Sequence, residues 1–180
     1  ERPVGDSSNM FFAHAFLSPD SSRGHSVAEL NIDEVQDINV DFIPILGETL
    51  SAQVEHGYEV YSGTPKAIDN TLNLLFEQSS KAFAHVICDR CNFENIASED
   101  FHLMQMIGKR TCICSKCGGK LNLRNMRYVH HNPSMRNQCE GYHISQVTHP
   151  LHADFEEKWA ILVNKMESPN YSEITFKNEV

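Results

Sequence analysis

The chain has 180 residues, 41% hydrophobic and 22% charged, with a formal net charge of −9. That suits one globular domain, or a smaller core with an appended module. It excludes a chain that simply coats nucleic acid, and there is neither an apolar run of membrane-span length nor a signal-peptide hydrophobic region at the start. The expected location is cytoplasmic, and a sequence that begins at Glu1 and runs out in mid-pattern at Glu179-Val180 is expected to be a piece of a longer protein.

Residues 1–26 are rich in Ser, Asp, Gly and Pro around one apolar stretch, MFFAHAFL, read as a strand. VAELNI follows as a buried strand. In DFIPILGETLSAQV, residues Phe42, Ile45, Leu46, Leu50 and Val54 recur at helical spacing, and HGYEVYSGT reads as a second strand. Strand, helix, strand predicts a crossover in a parallel sheet, hence an α/β fold. Asp69 or Asn70 can cap a helix through TLNLLFEQSSKAF, with Leu72, Leu75, Phe76 and Phe83 near one face.

The character changes near Ala84. Short strands, turn residues and paired cysteines predict a separate module over 84–138, between a first domain at 1–83 and a closing region at 139–180. In the last of these, GYHISQV reads as a strand. Phe155, Trp159, Leu162, Val163 and Met166 form the stripe of an amphipathic helix, Pro169 ends it, and another helix starts at Ser172.

Two groups of residues carry chemistry. The first is the tip of LNIDE: Leu30 and Ile32 face a core, and Asp33 and Glu34 emerge where a parallel sheet collects ligands, at the carboxyl end of its strands. A carboxylate pair there suits magnesium, a hard cation that takes oxygen ligands. Asp33 is the candidate magnesium ligand, Glu34 the candidate base for an attacking water, and Gln36 a candidate sensor of a γ-phosphate. The neighbouring strand ends in Ser62-Gly63-Thr64-Pro65, a small hydroxyl-bearing loop suited to a phosphate-bound water or to the acidic tip beside it. A bare acidic turn and a plain Gly-Thr-Pro turn are common on their own; two compatible tips one crossover apart are stronger. The phosphate-cradling pattern G-x-x-x-x-G-K-[ST] does not occur in these 180 residues, so the chain is not expected to hydrolyse ATP unaided.

The second group is cysteine. Cys88 and Cys91, then Cys114 and Cys117, form two C-x2-C pairs separated by 22 residues, the pattern of a four-thiolate zinc site, with Gly118-Gly119 permitting a tight turn. Cys112 competes as a ligand, His130 or His131 could substitute, and Cys139 is expected as a lone buried thiol. Such pairing, without secretory features, favours a metal over disulfides and a reducing compartment. From Gly108 to Cys139 there is no acid, while Lys109, Arg110, Lys116, Lys120, Arg124, Arg127 and Arg136 supply seven cations. These either compensate the anionic zinc–thiolate centre or touch DNA phosphate.

Taken together, RGHSVAELNIDEVQDI, YSGTPKAIDNTLNLLFEQSS, the two cysteine pairs, GYHISQV, the Trp159 helix and YSEITFKNEV resemble the large terminase subunit of tailed bacteriophages, in the right order over most of residues 22–180. The resemblance implies a partial P-loop NTPase parallel sheet with an inserted zinc ribbon and C-terminal helices. It implies an ATP-driven motor that packages double-stranded DNA into procapsids, with a separate nuclease domain that cuts the concatemer. Asp33 would be the magnesium-binding acid, Glu34 the catalytic base, and Ser62-Gly63-Thr64 the motif coupling hydrolysis to DNA movement; Arg23 has no firm role. Cofactors would be structural Zn2+, with Mg2+ and ATP. Partners would be double-stranded DNA, the portal protein and the small terminase subunit, around a homo-oligomeric ring without a membrane, in the cytoplasm of an infected or prophage-bearing bacterium. Two rivals stand beside it: a helicase-like translocase, since DEVQD also resembles helicase acidic motifs, and a non-enzymatic zinc-ribbon module that binds DNA or protein.

Overall fold

The structure, a computed structural model, describes residues 2–4, 8–53, 55–65 and 70–180. The helix position Val54 and the cap Asp69 lie outside the described residues. The protein is mixed α/β, with a small parallel sheet and a larger, mainly antiparallel one, in two compact units that part between Asn73 and Leu74. Among the described residues no helix is long and apolar enough to cross a membrane.

The first unit opens with a hairpin, β1 (Arg2–Val4) against β2 (Ser8–Met10). MFFAHAFL is not a strand. Met10 closes β2, and the rest runs on without regular pairing, with Phe12 76% and Leu17 83% exposed, so nothing buries the apolar face that a strand would need. β3 (Glu29–Ile32) pairs in parallel with β4 (Tyr58–Tyr61), Glu29 opposite Tyr58 and Ile32 opposite Tyr61. β3 is half-buried rather than buried throughout: Ile32 is covered, Leu30 partly so, and Glu29 and Asn31 face solvent.

The crossover is more broken than its spacing predicts. The described part of that segment forms a 3₁₀ turn (Val40–Phe42), α1 (Ile43–Gly47) and a second 3₁₀ turn (Glu48–Leu50). Pro44 suits a first turn, and Gly47 lowers helix propensity just where the α-helix stops. The apolar spacing still does its work, since Leu46 is buried and Phe42, Ile45 and Leu50 are partly so. α2 (Thr71–Glu77) is capped by Asn70, whose Oδ1 accepts from the Asn73 amide at 2.9 Å. It ends well short of Phe83, because Ser79 turns back onto the Phe76 carbonyl and Lys81 takes a left-handed conformation (φ 50°).

The second unit is built on β5 (Ala82–Ile87). β7 (Arg127–His130) pairs antiparallel along one edge; β6 (Glu94–Ile96, antiparallel) and the two-residue β8 (Tyr142–His143, parallel) share the other. Three helices follow: α3 (Pro150–Ala153), α4 (Glu156–Glu167) and α5 (Glu173–Glu179), the last capped by Ser172 Oγ accepting from the Thr175 amide. Trp159 and Leu162 of α4 and Phe176 of α5 share one core with Val86, Leu103, Met106 and Val147, and Trp159 Nε1 donates to the Gly108 carbonyl at 2.8 Å. Phe155 precedes α4 and is exposed. The expected breaks at 83/84 and 138/139 therefore do not coincide with breaks in packing. β5 begins before Ala84, Phe76 meets Phe83 edge-on, and the closing helices cover the same core as the cysteine segment.

Candidate metal centre and acidic strand tips

Cys88 follows directly on β5 and Cys91 lies in the turn after it; Cys114 and Cys117 occupy the turn of a second hairpin, marked by the Ile113–Lys120 bridge. The two turns are built alike. Asn92 donates its amide to the Cys88 carbonyl at 2.9 Å, Gly118 donates to the Cys114 carbonyl at 2.9 Å, and both donors are left-handed, with φ of 54° and 68°. Glycine adopts that conformation freely and asparagine is among the few other residues that tolerate it. Asn92 is thus the first turn's counterpart of Gly118.

The turns bring the four sulfurs together. Cys88 Sγ lies 3.7 Å from Cys117 Sγ, Cys91 Sγ lies 3.7 Å from Cys114 Sγ, and all four atoms are within 4.8 Å of one another. A tetrahedron with Zn–S bonds of about 2.3 Å has edges of roughly 3.8 Å, so the set fits zinc. Cys112, though buried, stands outside it, and burial pushes its thiol up to about 12. His130 and His131 are engaged elsewhere: His130 Nδ1 is 2.8 Å from Ser80 Oγ, and His131 Nε2 is 2.9 Å from His85 Nε2. Cys139 is half-buried rather than buried.

At Cys114 and Cys91 the sulfur is tuned by burial, amides, Asn95 and the neighbouring sulfurs. Burial disfavours the Cys114 thiolate, yet the amides of Cys117 and Lys116 and the side chain of Asn95 outweigh it and bring the thiol down to about 6. At Cys91 the Phe93 amide favours the thiolate, but burial and the three neighbouring sulfurs prevail and raise it to about 12. Asn95 is the residue that sequence reasoning missed. Fully buried, it donates through Nδ2 to the carbonyls of Val86 (3.2 Å) and Phe93 (3.1 Å) and toward Cys114 Sγ (3.6 Å). Its Oδ1 accepts from the Ser115 amide (2.8 Å) and hydroxyl (2.9 Å), which ties one turn to the other.

In the first unit, the tips of β3 and β4 lie side by side. The ladder extends past the strands, with the Ser62 amide donating to the Ile32 carbonyl at 2.9 Å and Val35 to the Ser62 carbonyl at 3.0 Å. Ser62 Oγ donates to Asp33 Oδ1 at 2.8 Å, and the same oxygen accepts the Glu34 amide at 3.0 Å. Asp33, Glu34, Ser62, Gly63 and Thr64 are all exposed. Glu34 is left-handed (φ 53°, ψ 39°), an uncommon state for a residue with a long side chain. Gln36 is buried behind this tip; its Nε2 donates to Glu34 Oε2, while its Oε1 has no hydrogen-bond partner among the described residues. That oxygen fills the space beside Gly63, where an added Cβ would lie 1.9 Å from it. Arg23 is paired with Asp20 at 2.8 Å.

Comparison with protein families, with curated proteins and with solved structures finds no match.

Proposed function

We propose that this chain is part of a DNA-packaging ATPase of the large-terminase kind. Its first unit would contribute the carboxyl-terminal strand tips of a P-loop sheet, and its second a structural zinc ribbon. The observation that carries this reading is the hydrogen bond from Ser62 Oγ to Asp33 Oδ1 between the tips of two parallel strands, which joins the two motifs where a magnesium nucleotide would dock. Asp33 would hold Mg2+, Glu34 would polarise the attacking water, Gln36 would sense the γ-phosphate, and Ser62-Gly63-Thr64 would couple hydrolysis to movement. When bound, Mg2+ would neutralise charge on the phosphates of ATP.

A phosphate-cradling loop, a nuclease domain, the portal protein and the small subunit would complete an oligomeric ring acting on double-stranded DNA in the bacterial cytoplasm. Joined to upstream sequence bearing the loop, the chain is expected to show magnesium-dependent ATP hydrolysis that Glu34→Gln abolishes. Unchanged turnover in that variant rejects Glu34 as the base. A second reading, a non-enzymatic zinc-ribbon module, draws on the fact that the four-cysteine set is complete within the chain while Asp33 and Glu34 lie open to solvent. Under that reading the extended protein shows no hydrolysis at all.

A further inference from the structure

Apart from Lys109 and Arg110, the cations of the cysteine segment fall into two kinds. Arg127 is paired with Glu94 and Arg136 with Glu140, each at 3.1 Å. Arg90, Lys116, Lys120 and Arg124 are exposed, and none makes an ion pair among the described residues. These four gather around the two cysteine turns. Arg90 sits between the first pair of cysteines and Lys116 between the second, and the pairs meet at 3.7 Å through their sulfurs. Gly119, next to Lys120, lies against the Arg90 stem, so that a Cβ there would be 3.4 Å from Arg90 Cδ. Asn125, beside Arg124 in a third turn (Leu123–Asn125), donates to Asp89 Oδ1 at 3.3 Å, which brings that turn to the first.

An obvious purpose for such cations is to neutralise the thiolates, and the hydrogen bonds argue against it. The donors to Cys114 are backbone amides and Asn95, and Lys116 instead reaches over the Phe93 ring, 5.6 Å from its centroid. All four cations are exposed to solvent, in a protein whose net charge is −9. Clustered exposed cations in an otherwise acidic chain repel one another unless something anionic lies across them. Two of the four are arginines, whose planar fork matches phosphate oxygens.

We infer that Arg90, Lys116, Lys120 and Arg124 form a phosphate-contact surface on the zinc ribbon, and that its partner is the backbone of double-stranded DNA, read without regard to base sequence. The choice of duplex DNA among polyanions rests on the proposed packaging role; the surface itself does not. With no ion pair among the described residues the four cations are free for phosphate, and the metal would hold the three turns in register so that the charges act together.

The test is fluorescence anisotropy of a labelled duplex of arbitrary sequence, titrated with the zinc-loaded protein between 50 and 200 mM salt, without nucleotide. Four phosphate contacts predict a log–log salt slope near −3.6 and a loss of roughly 150-fold in affinity across that range. Lys116→Gln with Lys120→Gln should make the slope shallower by about two. Arg136→Gln, which breaks a paired cation, should leave it unchanged. Zinc content and the emission of Trp159, the chain's one tryptophan, report whether each variant is folded.

A wild-type slope shallower than about −1, or a rim variant that is folded and binds like wild type, overturns the proposal. So does polyglutamate that displaces the duplex as well, charge for charge, as unlabelled DNA does; the rim would then be a surface for acidic proteins. Because no ATP is present, failure here leaves the Glu34 assignment standing, and failure of the ATPase assay leaves the DNA contact standing.

Discussion

The two units carry polar groups of opposite design. In the first, Asp33, Glu34 and Ser62 sit on exposed strand tips, with Gln36 alone buried behind them. In the second, four sulfurs, two of them buried and two half-buried, meet beside the fully buried Asn95 at the junction of two turns. Exposed tips can be remodelled by a ligand at little cost in stability. A set of sulfurs and amides gathered around a fully buried Asn95 is part of what holds the fold, because each buried member left unpaired would be costly.

The largest effect should come from the metal. Cys117→Ser, or removal of zinc by a chelator, is expected to unfold the second unit, since structural zinc supplies on the order of 10 kcal/mol of folding free energy in small domains. The measurements are elemental analysis, with one zinc per wild-type chain, and the emission of Trp159, buried in that unit's core. A metal-free chain with native emission breaks the contrast.

Asn95→Ala comes next. It takes the acceptor from the Ser115 amide and removes the side-chain bonds to the Val86 and Phe93 carbonyls, and a loss of about 2 kcal/mol is expected in denaturant unfolding followed by Trp159. Ser62→Ala should be milder, about 1 kcal/mol or less, because the bond it removes is exposed. It should speed amide exchange at Val35 and Ser62 without moving the Trp159 transition; a shift in that transition would show that the units do not respond separately.

The smallest effect concerns pH. On the β3–β4 pair, hydrogen bonds from Tyr58 and then Asn31 hold the Glu29 carboxyl below its ordinary 4.5. A carboxylate lowered in this way favours the folded strand pair above 4.5, and the benefit disappears as pH falls through the lowered value. A carboxyl-carbon NMR titration should find the Glu29 midpoint below 4.5, and Tyr58→Phe should move it up. A midpoint at the ordinary value would mean that the tyrosine contact does not persist in solution.

Much of this could be read from local pattern. The alternation in VAELNI and YEVY, the turn chemistry of Ser62-Gly63-Thr64-Pro65, the C-x2-C spacing and the Trp159 stripe are signals carried within a few residues of one another. Asn95 could not be read in this way, because its role depends on Val86, Phe93 and Ser115 converging on it. The end of α2 was hidden for a related reason. SSKAF continues an apolar helical spacing, yet Phe83 is claimed by the sheet, where β7 and β8 flank it. Phe155 and MFFAHAFL mislead in the other direction, since apolar residues predict burial only when another surface covers them.

Gly63 and Gln36 interlock like a tooth and its notch. With only a hydrogen between the backbone at 63 and the amide oxygen of 36, neither loop can shift toward the other. Retreat of the glycine would release that amide to rotate and let go of the Glu34 carboxylate it now grips. A methyl group at position 63 would meet that amide oxygen, so Gly63→Ala is expected to displace the side chain that holds the Glu34 carboxylate.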